Sequence, residues 1–233
     1  SVSHNTAQSD GGGICNQGAL TVTGSLLFDN VNRYSGGGIY NTGGTVTLAA
    51  SSVISNAVTD SGGGIYSTNG EVAISASAII SNVAVSGGGI AAQSGTLHVL
   101  NSTLSDNRAI GDGGRGGAII IAYNTLNIAN STLSGNAAVL EGGGIYATHG
   151  ALYILDSTLS DNRTIEKGSR GGGINILNNT LDIANSTLSG NAAVGDGGGI
   201  FATAIFGGPS TVRVANCTFV GNAGANGGAY AAF

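Results

Sequence analysis

Short segments in which apolar and polar residues alternate recur along the whole chain. Examples are residues 45–48, 71–74, 96–99, 125–128 and 180–183. Because successive side chains of a strand point to opposite faces, this alternation predicts β-strands with one buried and one solvent-facing side. No stretch shows a convincing 3.6-residue period, so we expect essentially no helix.

The strands belong to a repeat in which an Asn is followed by a short spacer and a glycine run that ends in an apolar residue. The Asn residues are Asn5, Asn30, Asn56, Asn82, Asn107, Asn136, Asn162, Asn191 and Asn222. The closing residues are Ile14, Ile39, Ile65, Ile90, Ile119, Ile145, Ile174, Ile200 and Tyr230, at intervals of 25 to 30 residues. A period of this length is typical of repeat architectures.

Each repeat contains three short strands: one that includes the glycine run, as at residues 36–40 and 62–66, the alternating strand, and one that ends at the Asn. If each strand pairs in parallel with its equivalent in the next repeat, the chain is an all-β, right-handed parallel β-helix. We therefore predict three strands per coil, about eight coils of 25–30 residues, and a single β-helix domain over residues 1–233.

Equivalent residues of successive coils should stack in columns. The apolar residue three positions before each Asn, the small residue five positions before it, and the Asn itself are all expected to point inward. Stacked Asn amides can hydrogen-bond one another from coil to coil. Cys15 and Cys217 lie seven coils apart, roughly 34 Å at about 4.8 Å per coil, and are too distant for a disulfide within one chain. We predict a buried Cys217 thiol and an outward Cys15, which is either an intermolecular contact or without a role.

Composition excludes several classes of function. Only 8% of the residues are charged, about a third of the usual share, and the net charge is −5. Disorder requires low hydrophobicity with high net charge, and nucleic-acid binding requires a basic face, so we expect neither. No apolar run approaches 18 residues, so we expect no membrane span.

Two motifs resemble those of a known family. Gly116-Gly117-Ala118-Ile119 and Phe219-Val220-Gly221-Asn222 are similar to the GGA[ILV] and FxxN motifs of chlamydial polymorphic outer membrane proteins. Most other repeats of this chain have Leu or Ile in place of the Phe. The resemblance extends over the whole chain at the level of the repeat. It implies a right-handed β-helix, export and often adhesion, and it transfers no catalytic residue.

The chain offers little catalytic chemistry. Polysaccharide-cleaving β-helices need clustered carboxylates, whereas the acidic residues here are scattered. Outward positions of the alternating strand carry Glu71, His98, Asn127, Tyr153, Asp182 and Arg213, with no stacked acid pair. We expect no enzymatic activity, catalytic residue, metal site or cofactor.

Two 29-residue coils carry matching charged insertions, which should stack about 10 Å apart. Insertions in solenoids often lie on a binding face, although a locally salt-bridged loop pair is the alternative. The candidate contact residues here are Arg108, Asp112, Arg115, Arg163, Glu166, Lys167 and Arg170.

Two further surfaces are candidates. Outward aromatic residues after the glycines could stack on sugars or pack against a partner; they are Tyr40, Tyr66, Tyr146 and Phe201. The third strands form a regular hydroxyl array, which suits ice binding or an ordinary solvated surface; its members are Thr103, Ser105, Thr132, Ser134, Thr158, Ser160, Thr187 and Ser189.

Both ends of the chain lie within a coil and lack a polar cap, which predicts either a longer array or head-to-tail association into a filament. We therefore expect an extracellular or cell-surface bacterial β-helix with a structural or adhesive role and a possible glycan or host-surface partner. A carbohydrate-binding or polysaccharide-degrading β-helix is the alternative, and an ice-binding β-solenoid is the second alternative.

Overall fold

A computed structural model describes residues 1–205 and 209–232. The described residues form short strands joined by turns and bends, with no helix. All strand pairs are parallel, and each strand pairs with its equivalents in the coils before and after it. The predicted parallel β-solenoid is therefore confirmed. Accordingly, the described chain contains no helix that could cross a membrane.

The strands form four sheets, which we name A to D in the order in which the chain enters them. Sheet A contains Val2–Ser3, Leu26–Phe28, Ser52–Ile54, Ala78–Ile80, Thr103–Ser105, Thr132–Ser134, Thr158–Ser160, Thr187–Ser189 and Thr218–Val220. Sheet B contains Thr6–Ala7, Val31–Asn32, Ala57–Val58, Val83–Ala84, Arg108–Ala109, Ala137–Ala138 and Arg163–Thr164. Sheet C contains Ile14–Asn16, Ile39–Thr42, Ile65–Thr68, Ile90–Gln93, Ile119–Ala122, Ile145–Thr148, Ile174–Leu177, Ile200–Thr203 and Tyr230–Ala232. Sheet D contains Ala19–Thr23, Thr45–Ala49, Glu71–Ser75, Thr96–Leu100, Thr125–Ala129, Ala151–Leu155, Thr180–Ala184 and Thr211–Ala215.

Sheet B is a fourth strand in the coil, where the alternation predicts three. Its members directly follow the repeated Asn and are two residues long, as in Val31–Asn32. Two residues are too few to show an alternating pattern. The backbone nevertheless continues the ladder, because Val31 N donates to Asn5 O and Ala57 N donates to Asn30 O.

The core is a set of columns that run along the solenoid axis. The residues three positions before the Asn, from Leu27 to Leu188, are all fully buried. The apolar residues that close the glycine runs, from Ile39 to Ile200, are also fully buried. At the last described coil the equivalent Phe219 is only partly buried. The stacked columns predicted from the repeat are therefore the hydrophobic core.

The repeated Asn residues form a continuous ladder inside the solenoid. From Asn5 to Asn222, each side-chain amide nitrogen donates to the side-chain oxygen of the next Asn at 2.8–3.0 Å. The same oxygen also accepts the backbone N–H of the preceding Asn. The seven Asn residues from Asn30 to Asn191 are 0% exposed, which confirms the predicted stack.

The small residues five positions before the Asn form a second ladder. From Ser51 to Ser157, each hydroxyl accepts the backbone N–H of the equivalent residue in the preceding coil. Each hydroxyl also donates to the carbonyl oxygen two residues before it, as Ser51 does to Ala49 O at 2.8 Å. Cys217 occupies this position in the last described coil and is only partly buried, whereas Cys15 is exposed; both thiols are free.

The glycine runs lie in the turn before sheet C, whereas the pattern predicts that glycines 36–38 belong to the strand. The strand begins at Ile39, because Gly36 has a φ of 69°, a region that favours glycine over other residues. Gly63 illustrates the tight stacking of these turns: a Cβ atom there would lie 2.4 Å from Gly88 O and 2.6 Å from Val83 O.

Candidate functional site

The outward side of sheet C carries the predicted aromatic residues in one column. The residues that succeed one another along it are Cys15, Tyr40, Tyr66, Ala91, Ile120, Tyr146, Asn175, Phe201 and Ala231. The aromatic stripe is thus interrupted, since a methyl group occupies the position after Tyr66 and Asn175 separates Tyr146 from Phe201.

Tyr40 and Tyr66 are stacked on each other. Their ring centroids are 5.3 Å apart and the ring planes differ by 5°. Both side chains are partly exposed. Burial raises the pKa of both phenols above 10.0; the carboxylate of Asp10 raises the pKa of Tyr40 further, and those of Asp60 and Asp10 raise the pKa of Tyr66. Both hydroxyl groups therefore stay protonated and neutral over the physiological range.

Tyr146 and Phe201 do not form part of an exposed stripe, and the prediction that they are surface residues is wrong. They are 8% and 1% exposed. The guanidinium of Arg115 lies 5.3 Å from the ring centroid of Tyr146, and that of Arg170 lies 5.0 Å from the ring centroid of Phe201. Each arginine comes from an insertion and covers the aromatic residue of the following coil, a favourable cation–π arrangement.

The two insertions meet across one intervening residue. The backbone of Glu141 forms isolated parallel β-bridges with Arg115 on one side and Arg170 on the other. The Arg115 Nε atom also donates to a Glu141 carboxylate oxygen at 2.8 Å. Asp112, Glu166 and Lys167 form no ion pair within the described chain. The salt bridge therefore joins an insertion to the neighbouring regular coil, and the two insertions are not bridged to each other.

Arg108 and Arg163 lie on a different face from the other insertion residues. Both belong to sheet B and are exposed, and Ala137 separates them in the same column. The predicted contact surface is therefore split between the sheet B face and the turns before sheet C.

The hydroxyl array of sheet A has the predicted register. Thr103, Thr132, Thr158 and Thr187 succeed one another in one column. Ser105, Ser134, Ser160 and Ser189 form a second column two residues away. Thr103 is exposed and the remaining members are partly exposed. The structure thus places all eight hydroxyl groups on one face.

On sheet D, one predicted column has a different first member. Ala73, and not Glu71, is paired with His98, while Glu71 is paired with Thr96. The column then continues through Asn127 and Tyr153 to Asp182 and Arg213. The alternation identifies the strand and its outward residues. It does not determine which outward residue pairs with which in the next coil, because a shift by two residues keeps the same side chains outward. Among the described residues, no three His, Cys, Asp or Glu side chains gather in a group that could hold a metal ion.

The surface of the solenoid contains several clefts. One of about 620 Å³ lies beside sheet B near Arg33 and Tyr34, and another of about 490 Å³ lies on sheet D near Tyr153 and Arg213. A smaller notch of about 150 Å³ lies on sheet C, where Ala91 interrupts the aromatic column. Its lining residues are Ser61, Tyr66, Ala91, Ala92, Gln93, Ile120 and Ala122.

Apart from Tyr66, the residues of this notch are absent from the sequence-based candidates. A signal for it exists, because the residues that follow the closing apolar residue read Tyr40, Tyr66, Ala91 and Ile120 in successive coils. A small residue between two large ones predicts a gap.

Comparisons with protein-family models, with curated proteins and with solved structures found no match.

Proposed function

We propose that the chain is an extracellular structural or adhesive rod of a bacterial cell surface. The observation that carries this proposal is the unbroken internal Asn ladder, which continues through every coil from Asn5 to Asn222. A ladder of this kind holds all coils in one register and favours a stiff spacer over a deformable domain. At about 4.8 Å per coil, nine coils give a rod of roughly 40 Å.

The surface chemistry supports contact with neutral partners. The net charge is −5 and charged residues are only 8% of the chain. The partly exposed Tyr40–Tyr66 stack offers an amphipathic contact surface, since a tyrosine ring has an apolar body and a polar end. The similarity of the repeat to that of chlamydial polymorphic outer membrane proteins agrees with export and adhesion.

A bead-adhesion experiment tests the proposal. Beads that carry the rod through one terminal tag should be retained under flow on bacterial or host-cell surfaces more strongly than beads that carry an inert protein at equal density. A Tyr40→Ser/Tyr66→Ser double variant should lose much of this retention, whereas Tyr153→Ser on sheet D should not. Equal retention of rod-coated and inert beads would rule out the adhesive function.

Ice binding is a second candidate, because the Thr and Ser columns of sheet A repeat in register over four coils. The array combines coil spacing along the axis with a spacing of about 7 Å between alternate residues of a strand. Thermal hysteresis at millimolar protein, lost in a Thr132→Asp/Thr158→Asp variant, is the expected result. No hysteresis at this concentration would remove the candidate.

End-to-end self-association and the lack of enzymatic activity stay predictions. Light scattering over a range of concentrations, combined with negative-stain microscopy, tests the first. A monodisperse monomer at all concentrations would contradict filament formation.

A further inference from the structure

The aromatic column on sheet C is interrupted by a small residue after Tyr66. Tyr40 and Tyr66 stack with their centroids 5.3 Å apart, close to the spacing of adjacent coils. The next position in the column is Ala91, followed by Ile120. A ligand ring in the notch beside Ala91 would therefore contact the ring of Tyr66, which lines the notch.

The notch has walls and a polar rim. Tyr66 and Ile120 form its walls, Ala91 lies between them, and Ser61 and Gln93 contribute polar side chains. Ala91 is 4% exposed, whereas the Gln93 side chain is exposed to solvent. A volume of about 150 Å³ is smaller than the roughly 300–1,000 Å³ of sites for drug-sized ligands, so the notch fits a single ring.

We propose that this notch binds one neutral pyranose ring of a glycan. This inference deepens the proposed adhesive function and rests on it, because it names the chemical class of the adhesive partner. A pyranose has C–H groups on one face, which suit the Tyr66 ring, and hydroxyl groups at its edge, which suit Gln93 and Ser61.

The local charge favours a neutral ring over an acidic one. The lining residues include no Lys or Arg. The carboxylates of Asp10 and Asp60 act on the neighbouring phenols and raise the pKa of Tyr66. An acidic sugar would therefore meet negative potential without a cation to pair with its carboxylate.

A site for one ring should bind weakly, with a dissociation constant on the order of millimolar for a monosaccharide. Useful adhesion would then come from many rods on one surface that engage many glycan ends, because multivalency raises avidity without new contacts.

Saturation-transfer NMR with the complete chain tests the site. The probes are the methyl glycosides of glucose, galactose and mannose, the methyl glycoside of sialic acid as the acidic probe, and N-acetyl-tyrosinamide as the aromatic probe. At least one neutral glycoside should bind. Tyr66→Ala should weaken it at least tenfold by removing the stacking wall, and Ala91→Leu should do the same by filling the notch while Tyr66 stays in place.

Tyr153→Ala is the matched control, since Tyr153 is an exposed tyrosine on sheet D. This variant should bind like the wild type, and circular dichroism should show that all three variants are folded. Wild-type affinity in Ala91→Leu, no binding of any neutral glycoside, or binding of only the acidic or only the aromatic probe would each overturn the proposal.

The bead assay separates this site from the wider function. If wild-type and Ala91→Leu beads adhere equally, the rod is adhesive and the notch is not its glycan site. If a neutral glycoside binds at the notch but wild-type beads do not adhere, the site stands and the adhesive function fails.

Discussion

Removal of one amide from the middle of the Asn ladder should be strongly destabilising. Asn107 is fully buried. Its Oδ1 atom accepts from the backbone N and from the Nδ2 of Asn82, both at 3.0 Å. Its Nδ2 atom donates to Ile79 O at 2.9 Å and to Asn136 Oδ1 at 3.0 Å. Asn107→Ala deletes all four hydrogen bonds while the strand backbone can stay in place.

The magnitude follows from the groups that are left without partners. The Asn82 backbone N–H and one hydrogen of its amide lose their acceptor inside the solenoid. Each unsatisfied buried group costs about 1–3 kcal/mol, so these two groups give about 2–6 kcal/mol, and we expect about 4 kcal/mol. Asn136 Oδ1 adds little, because it still accepts the backbone N–H of residue 107 at 2.9 Å.

Urea denaturation followed by far-ultraviolet circular dichroism measures this loss. Asn5→Ala is the matched control, because Asn5 begins the same ladder but is exposed, and it should cost less than about 1 kcal/mol. An unchanged denaturant slope would show that the two states being compared are the same as in the wild type. A cost below about 1 kcal/mol for Asn107→Ala, or a cost equal to that of Asn5→Ala, would refute the role assigned to the ladder.

Three further predictions concern the turns, the arginine cover and pH. Gly63→Ala should lower the free energy of unfolding by about 1–3 kcal/mol, because the new Cβ meets backbone oxygen atoms. Gly18→Ala, where no atom lies within 4 Å of the new Cβ, should leave it unchanged in the same urea titration. Arg115→Ser should cost about 1 kcal/mol, through loss of the ion pair and the cation–π contact, and should increase iodide quenching of tyrosine fluorescence. The folded state raises the pKa of three phenols above 10.0, those of Tyr40, Tyr66 and Tyr146. As the pH rises, these phenols therefore ionise first in the unfolded state, which favours unfolding. In urea titrations from pH 8 to 11, the free energy of unfolding should keep its full value below pH 10 and decrease above it.

The sequence is sufficient to predict the solenoid because each coil repeats the same local requirements. The buried Asn, the inward apolar residue three positions before it, and the glycine turn recur at every coil, so one alignment of the repeats identifies the core columns. The two-residue strands of sheet B escape such an alignment, because they carry no alternation of their own. Their hydrogen bonds follow from the positions of their neighbours in the coil.

The exposure of the sheet C aromatic residues could not be predicted from strand alternation alone. The alternation correctly places Tyr66 and Tyr146 on the outward side, yet Tyr146 is 8% exposed and Tyr66 is partly exposed. The difference in exposure between Tyr66 and Tyr146 comes from the residue that precedes the first glycine of the turn. Backbone hydrogen bonds align these residues from coil to coil, in the order Ser35, Ser61, Ser86, Arg115, Glu141, Arg170 and Asp196.

In this column, a short side chain leaves the neighbouring aromatic residue open and a long cationic one covers it. Serine occupies the column in the coils around Tyr66, where the notch at Ala91 lies. Arg115 and Arg170 occupy it in the two 29-residue coils and lie over the aromatic rings of the coils that follow. The insertions therefore act mainly by closing the C-terminal half of the aromatic column. The accessible part of that column is confined to the N-terminal half, where the proposed glycan contact lies.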